Sequence, residues 1–275
     1  MKMGSMAERR QPSGNGLLDS LDDDTWRELA PQLQRIELKR KEVVGAAGYA
    51  TGQVLFPCGA VLSVLTYMHN GAAVEVATVG REGLFGIELV LGASTWGATT
   101  VCQVDGPAWR MSASSFRTAL ENGSPLRSLA QRYVMAYLSL VSQSVACNRL
   151  HTIEERFARW VLMTHDRVAG DSFFLTQEFI ADMLGVHRPS VSLVAGAFQQ
   201  AGFIKYSRGS MTILNREGLE EASCECYAVA GQAFERLGGS GSMAGASNGG
   251  IGRADGQGAD GAAERARGRM PRAPP

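Results

Sequence analysis

The segment from Leu175 to Ile204 restricts the fold more than any other part of the sequence, because it contains two amphipathic helical stretches separated by one glycine. Thr176 can cap the first stretch, and Gly185 can adopt the left-handed backbone that ends it. The second stretch begins at His187, and its inner face repeats at steps of three and four residues, at Val191, Val194 and Phe198. This order of helix, glycine turn and helix predicts a helix-turn-helix.

The start of the second helix presents polar groups instead of a packed surface. Pro189 is tolerated in a first turn, where its missing N–H would have had no partner. The same helix end offers free N–H groups and a positive dipole to a phosphate, and Arg188 can reach the O6/N7 edge of guanine. An ion pair between Arg188 and Asp182 is the alternative. We expect DNA bases to be read by His187, Arg188, Ser190 and Ser192.

The residues that follow this helix, 202–213, predict a strand, a turn and a second strand, which would form the wing of a winged helix. Contacts to the DNA backbone are expected from Thr176, Gln177, Lys205 and Arg208. We therefore assign residues 151–237 to a DNA-binding domain.

A different pattern occupies the first half of the chain. From Val43 to Met111, short β-rich runs alternate with glycines. Asn70-Gly71, between VLSVLTYM and VEVATV, is a strong signal for a β-hairpin. These runs predict a small antiparallel barrel or roll, and we assign residues 17–123 to this domain.

Between the two domains, apolar residues repeat at steps of three and four from Ser124 to Arg149, which predicts one long helix. The helix is longer than the roll needs, and such a stripe is typical of paired helices. A helix packed only on its own domain is the alternative. We expect residues 124–150 to form a homodimer through Leu126, Leu129, Tyr133, Ala136, Leu140 and Cys147.

Composition excludes several classes of protein. The five cysteines are scattered and odd in number, which indicates reduced thiols and a cytoplasmic location. No apolar run approaches the roughly 18 residues of a membrane span. The formal net charge is zero, so any contact with a polyanion must come from a local patch. Residues 1–16 and 238–275 contain few large apolar side chains and predict a disordered arm and tail.

Neither a catalytic site nor a metal site is expected. The four histidines are dispersed, and the sequence contains no nucleophile elbow, phosphate loop or paired catalytic acids. Cys224 and Cys226 could form a redox pair or a soft-metal site, but helical positions two apart point to different faces, so incidental roles are predicted. Cys147 is interpreted as a small apolar filler.

Two of these segments resemble a known family, the Crp/Fnr superfamily of bacterial transcription factors. Val74 to Gly92 is similar to the family's glycine-rich roll segment, and Leu175 to Ile213 is similar to its DNA-binding motif. The family's base-reading arginine falls on Arg188, whereas its acidic second reader and a later arginine are replaced by Pro189 and Leu193. The resemblance implies an α+β fold with a cyclic-nucleotide-binding-like β-roll, a long dimerisation helix and a C-terminal winged helix-turn-helix. It also implies double-stranded DNA and RNA polymerase as partners.

The same resemblance places an effector pocket at Gly86, Ile87, Glu88, Leu89, Thr99 and Thr100. Thr99-Thr100 stands where nucleotide-binding members carry an Arg-Ser pair, and no arginine lies between Arg81 and Arg110. A buried phosphate without a cation is poorly compensated. Cyclic AMP binding is therefore not expected, no cofactor is predicted, and the effector is unknown. A ligand-sensing module that acts on a protein partner instead of DNA is the alternative function.

Overall fold

The computed structural model describes residues 10–121 and 124–236, and its first half is the predicted roll. Two antiparallel sheets form the roll, with strand orders β1-β7-β3 and β2-β6-β4-β5. The strands are β1 Gln34–Leu38, β2 Val43–Gly45, β3 Gln53–Pro57, β4 Val61–Tyr67, β5 Ala73–Val79, β6 Thr99–Val104 and β7 Gly106–Ser112. The short helices beside them are α1 Gly16–Asp19, α2 Asp23–Leu29, α3 Ile87–Val90 and α4 Ala113–Ala119.

The Asn70-Gly71 hairpin is confirmed. Strands β4 and β5 pair antiparallel from Leu62 opposite Val79 to Tyr67 opposite Ala73. Gly71 has a φ of 84°, a left-handed conformation that glycine adopts without steric cost.

The chain before the roll is more ordered than its composition predicts. Asn15 is fully buried, and its Nδ2 donates to the carbonyls of Pro57 and Gly83 at 2.8 and 2.9 Å. The indole of Trp109 donates to the carbonyl of Ser13 at 3.0 Å. The prediction of a mobile arm is therefore wrong for residues 10–16, because polar side chains there satisfy buried carbonyls. Residues 1–9 and the predicted tail 238–275 lie outside the described residues.

The predicted long helix is α5, Pro125–Leu150, and Ser124 caps its N-terminus. The apolar residues that repeat along this helix face the interior of the protomer and not solvent. Five of the six predicted dimer residues belong to the core of the roll, and the sixth lies in a separate cluster of cysteines. The prediction that these side chains contact a second copy is wrong, because the chain's own roll and last helix already cover them. They are Leu126, Leu129, Tyr133, Ala136, Leu140 and Cys147, each at most 5% exposed.

The C-terminal half contains five helices and a three-stranded sheet, of order β8-β10-β9, within the described residues. Strand β8 was not predicted, because three residues are too short for a periodicity signal. None of the helices in the described part of the chain has the length and apolarity of a membrane span. The elements are α6 Ile153–His165, β8 Ser172–Phe174, α7 Gln177–Leu184, α8 Arg188–Gln200, β9 Ile204–Ser207, β10 Ser210–Ile213, α9 Arg216–Glu221 and α10 Cys226–Glu235.

The roll and the C-terminal half meet at a junction that contains apolar contacts and buried hydrogen bonds. Leu65 and Val101 of the roll belong to the same hydrophobic core as α6, α7 and α8. Buried hydrogen bonds cross the same junction: the Trp160 indole donates to Glu75 Oε1 at 2.8 Å, and Gln103 Nε2 donates to Thr164 Oγ1 at 2.9 Å. Because a buried polar group that lacks its partner is costly, these bonds fix how α6 lies on the roll.

Candidate DNA-binding surface

Helices α7 and α8 form the predicted helix-turn-helix. Thr176 caps α7 by accepting a hydrogen bond from the backbone N–H of Phe179 at 3.2 Å. Gly185 ends the helix with a φ of 63°, and the next residue, Val186, donates to the carbonyl of Ala181 at 3.0 Å. Such a left-handed glycine turn changes the direction of the chain within a few residues. Helix α8 therefore begins at Arg188, only three residues after Gly185.

The first turn of α8 presents its polar side chains to solvent. His187 is the N-cap residue and makes no capping hydrogen bond through its side chain. His187, Arg188 and Ser192 are exposed, whereas Ser190 is half-buried. The inner face is as predicted, with Val191, Val194 and Phe198 buried.

Leu193 lies on the outer face of α8 and is 76% exposed, the largest exposed fraction among the large hydrophobic residues of the structure's described part. The sequence-based prediction gave this position no role as a reader. The sequence did contain a signal for such a role: Leu193 lies four residues after Pro189, and residues i and i+4 share one helix face. A leucine so exposed can contact the methyl group of thymine.

A hydrogen bond ties the two helices of the motif together. The hydroxyl of Ser192 lies 2.7 Å from Oε1 of Gln177 and 3.3 Å from the carbonyl of Arg188. Gln177, the first residue of α7, therefore helps to position α8. The hydroxyl oxygen of Ser192 can still accept a hydrogen bond from a base.

A groove runs between α7, the start of α8 and the wing. Among the ion pairs closer than 4.0 Å in the described ranges, none includes Arg188, so the predicted alternative of a pair with Asp182 is not formed. The Tyr206 hydroxyl donates to the carbonyl of Leu175 at 2.7 Å, which holds the wing against α7. Burial raises the pKa of Tyr206, and the Arg188 charge acts in the opposite direction. The groove is lined by Thr176, Gln177, Glu178, Arg188, Tyr206, Arg208 and Gly209.

The wing is the predicted hairpin of β9 and β10. Arg208 and Gly209 both have positive φ, 51° and 85°, which is the backbone of a type I′ turn. The side chains of Lys205 and Arg208 are exposed. Arg188 and Arg208 both line the groove, so they bring two cations to it.

Four of the six predicted effector residues, Gly86, Ile87, Glu88 and Thr100, line a small space in the roll, whereas Leu89 and Thr99 do not. The remaining cavity is about 20 Å³, enough for one water molecule. Glu88 is buried and hydrogen-bonded by the hydroxyl of Thr51. Ile87, Leu89 and Thr100 are buried, and Thr99 accepts a hydrogen bond from the backbone of Ala47. No cation is found among the described residues that line the cavity, so these residues do not fit a cyclic phosphate. Its lining is Val64, Val79, Leu84, Phe85, Gly86, Ile87, Glu88, Trp96, Thr100 and Tyr137.

The structure also brings together four residues that the sequence had left apart. The side chains of Cys147, His151, Cys224 and Cys226 place one donor atom each within 4.8 Å of one another. The prediction of incidental roles assumed that Cys224 and Cys226 lie on one helix, but α10 begins only at Cys226. Because Cys224 precedes the helix, the two thiols can point to the same place.

Comparison with known proteins supports the C-terminal motif and the overall fold. A family model described as a Crp-like helix-turn-helix domain matches residues 155–222. A search of curated proteins gives no match. Among solved structures, a protein described as a transcriptional regulator of the Crp/Fnr family from Eubacterium rectale is 17% identical, with a TM-score of 0.60, over 77% of this chain and 99% of that chain.

Two further structures are similar to the same extent. FixK2 from Bradyrhizobium japonicum is 15% identical with a TM-score of 0.60, over 70% of this chain and 98% of that chain. A CRP-family transcriptional regulator from Thermus thermophilus is 19% identical with a TM-score of 0.58, over 68% of this chain and 96% of that chain. At these identities the similarity establishes the fold.

Proposed function

Because the chain has the fold of the Crp/Fnr regulators and carries a Crp-like helix-turn-helix domain, we propose that it is a transcription regulator that binds a two-fold symmetric operator as a homodimer. The observation that carries this proposal is Arg188 at the start of α8. Its side chain is exposed and forms no ion pair with the described residues. An arginine without a carboxylate partner retains its paired donors for the O6/N7 edge of guanine.

The reading surface consists of the first turns of α8. His187, Arg188, Ser190 and Ser192 are the proposed polar readers, and Leu193 adds an apolar contact. The proposed phosphate contacts, which position the protein without reading sequence, are Thr176, Gln177, Lys205 and Arg208.

The dimer seam that we now propose is the exposed face of α5, not the buried stripe. Exposed residues repeat there at steps of four and three: Gln131, Met135, Leu138, Ser142 and Val145. Met135 and Val145 are 64% and 65% exposed, so this helix face presents apolar side chains to solvent. An exposed apolar face of this kind is typical of an interaction surface. This spacing is typical of a two-helix seam. A two-fold axis along α5 would present two copies of α8 to half-sites about 34 Å apart.

The remaining assignments rest on this proposal. The domain boundaries follow the predicted ranges, with residues 17–123 as the sensor roll, 124–150 as the dimerisation helix and 151–237 as the DNA-binding domain. A regulator of this kind works in the cytoplasm and contacts RNA polymerase. Its effector is unknown, since the cavity in the roll has room for only about one water molecule.

The test is a binding-site selection with random double-stranded DNA, performed on the wild type and on Arg188→Ala. We expect the wild type to recover a palindrome. Arg188→Ala should bind it about 1–3 kcal/mol less tightly per half-site and lose preference at one base pair, because a bidentate contact is removed. Arg117→Ala is the matched control, since Arg117 is an exposed arginine on α4 of the roll.

A contact to phosphate should behave differently from a contact to a base. Lys205→Ala should weaken binding to all sequences alike and lower the slope of log K against log salt by about one. Identical motifs from the wild type and Arg188→Ala would show that Arg188 reads no base. Failure of the wild type to select any motif would contradict the regulator function and favour a module that acts on a protein partner.

A further inference from the structure

A cluster of three thiols and one imidazole lies where the long helix meets the DNA-binding domain. Cys147 is in the last turn of α5, and His151 follows that helix directly. Cys226 is the first residue of α10, which packs along α5, and Cys224 lies two residues before it. The three cysteines form a cluster separate from both hydrophobic cores of the described residues, so core packing alone does not account for them.

The spacing of the donor atoms matches one tetrahedral ion. The sulfurs of Cys147 and Cys224 are 3.5 Å apart, and Nδ1 of His151 is 3.5 Å from the sulfur of Cys226. Around zinc, bond lengths of about 2.3 Å to sulfur and about 2.0 Å to nitrogen give tetrahedral edges of about 3.5–3.8 Å. A two-iron cluster would hold its two ligand pairs farther apart, on separate irons. Donors that all lie within 4.8 Å fit a mononuclear site.

The imidazole is oriented as a metal ligand requires. Nε2 of His151 is 3.2 Å from a carboxylate oxygen of Glu225. A proton on this nitrogen would be held by the carboxylate, which would leave Nδ1, on the side of the thiols, free to bind a metal. Metal-bound histidines commonly donate their second nitrogen to a carboxylate in this way. Gln143 adds an outer contact, because its Nε2 donates to the sulfur of Cys226 at 3.0 Å.

A buried cation beside the cluster matches the charge that bound thiolates would bring. Arg159 is only 6% exposed, makes no ion pair within the described ranges, and its Nε has no hydrogen-bond partner there. Its Nη2 donates to the hydroxyl of Ser144 at 3.1 Å. Three thiolates, a neutral imidazole and a divalent ion carry one negative charge, which Arg159 would balance.

We propose that Cys147, His151, Cys224 and Cys226 bind one soft divalent cation of the zinc class. Binding releases the protons of the three thiols to solvent, and His151 and Glu225, at the solvent side of the cluster, provide the entry path. The bound ion joins the end of α5, the link to α6 and the start of α10. It thereby fixes the start of α10 to the end of α5.

The experiment uses the full chain, purified under a thiol reductant and freed of metal by dialysis against a chelator. Titration with Co²⁺ should saturate at one ion per protomer, with the visible absorption of tetrahedral cobalt and near-ultraviolet sulfur-to-cobalt charge transfer. One equivalent of Zn²⁺ should then displace the cobalt. Neither readout depends on DNA binding, so the result is independent of the proposed function.

Variants separate a metal site from mere packing. Cys224→Ser and Cys226→Ser should each lower Zn²⁺ affinity by more than the roughly 10–100-fold expected for an outer-shell change such as Glu225→Gln. His151→Cys should keep one ion per protomer and gain charge-transfer intensity, whereas His151→Ala should bind more weakly. Cys102→Ser, a buried thiol of the roll, is the matched control and should behave like the wild type.

Three outcomes would overturn the proposal. These are sub-stoichiometric cobalt uptake by the reduced wild type, an octahedral cobalt spectrum, and equal loss of affinity in Cys102→Ser and Cys224→Ser. Formation of a Cys147–Cys224 disulfide without any metal uptake would assign the cluster to thiol chemistry instead. Because His151 is partly exposed, its two variants test the site even if a cysteine variant fails to fold.

Discussion

Glu75 is a carboxylic acid enclosed between the roll and α6. It is 8% exposed, and its Oε1 accepts hydrogen bonds from Thr78 Oγ1 and from Trp160 Nε1. Its Oε2 has no partner among the described residues. Burial raises the pKa of Glu75 above its usual value, and hydrogen bonds together with the charge of Arg167 only partly oppose this. Because the folded state favours the protonated acid, Glu75 makes stability depend on pH.

The sign of that dependence gives a prediction. A raised folded pKa contributes stability that is fully present below the unfolded value, near 4.3, and is lost as pH rises through the folded pKa. Glu75→Gln should therefore be more stable than the wild type at neutral pH, and its stability should decline less as pH increases. Urea unfolding at several pH values measures the difference. Glu121→Gln, an exposed carboxylate outside the junction, is the control, and equal pH profiles for the wild type and Glu75→Gln would contradict the prediction.

Leu193 permits a test at the level of single atoms, which rests on the proposed DNA binding. If its exposed side chain contacts a thymine methyl group, replacing that thymine by deoxyuridine in the selected operator should weaken wild-type binding by about 1 kcal/mol. Leu193→Ala should already be weaker and should not respond to the replacement. Titration of both proteins with both operators by fluorescence anisotropy completes the cycle. A response to deoxyuridine in Leu193→Ala as large as that of the wild type would exclude the contact.

At the scale of elements, α5 has two apolar faces. The sequence stripe of Leu126, Leu129 and Leu140 was correctly identified as apolar and helical, but it was assigned to the wrong neighbour. Both faces repeat at steps of three and four, so spacing alone cannot tell which one meets the chain's own core. The roll takes the face with the larger side chains, and Met135 and Val145 remain exposed.

The two faces of α5 should respond differently to substitution. Leu138→Glu places a charge in the proposed seam, so it should shift the protein from dimer to monomer with little loss of protomer stability. Leu140→Ala removes a fully buried side chain and should cost about 2–5 kcal/mol of unfolding free energy while the dimer persists. Light scattering and denaturant unfolding measure the two effects. A dimeric Leu138→Glu at micromolar concentration would place the seam elsewhere.

Local signals explain why some elements were predictable and others were not. The helix-turn-helix, the wing and the Asn70-Gly71 hairpin follow from turn residues and periodicity within short windows. The thiol cluster, the order of residues 10–16 and the true outer face of α5 depend on contacts between distant segments. Cys147 and Cys224 are the clearest case, since they are 77 positions apart in sequence and their sulfurs are 3.5 Å apart.

At the scale of the whole molecule, the glycine-rich segment after β5 is where three parts of the chain converge. A Cβ at Gly80 would lie 2.6 Å from the side chain of Arg167, and a Cβ at Gly83 would lie 2.2 Å from the hydroxyl of Tyr133. Gly80 therefore admits an arginine that follows α6, and Gly83 admits a ring from α5. The sequence identified this segment by its resemblance to a ligand-binding roll, but the structure uses its glycines for close packing.

The side chain of Arg167, which is 1% exposed, reaches from the end of α6 into this glycine-rich segment. Its Nε donates to Oε1 of Glu82 at 2.9 Å, and the backbone N–H of Gly80 donates to the same oxygen at 3.1 Å. The pair joins the roll to the DNA-binding half without access to solvent. A buried charge that loses its partner is strongly destabilising, whereas replacing both members by apolar residues can be neutral.

The junction should therefore show strong coupling between its two charges. Arg167→Met leaves Glu82 buried and unpaired, so it should cost about 3–5 kcal/mol, and Glu82→Met should cost a similar amount. The double variant should recover much of that loss, because no unpaired charge remains. Denaturant unfolding of the four proteins gives the coupling energy, and Arg117→Met on the surface of the roll controls for the loss of an arginine. If the junction also couples the two halves, Arg167→Met should unfold in two transitions, one in the roll, which holds Trp26, Trp96 and Trp109, and one in the C-terminal half, which holds Trp160. Additive single-variant losses would instead mean that Arg167 and Glu82 are stabilised by their surroundings independently and that the pair does not hold the halves together.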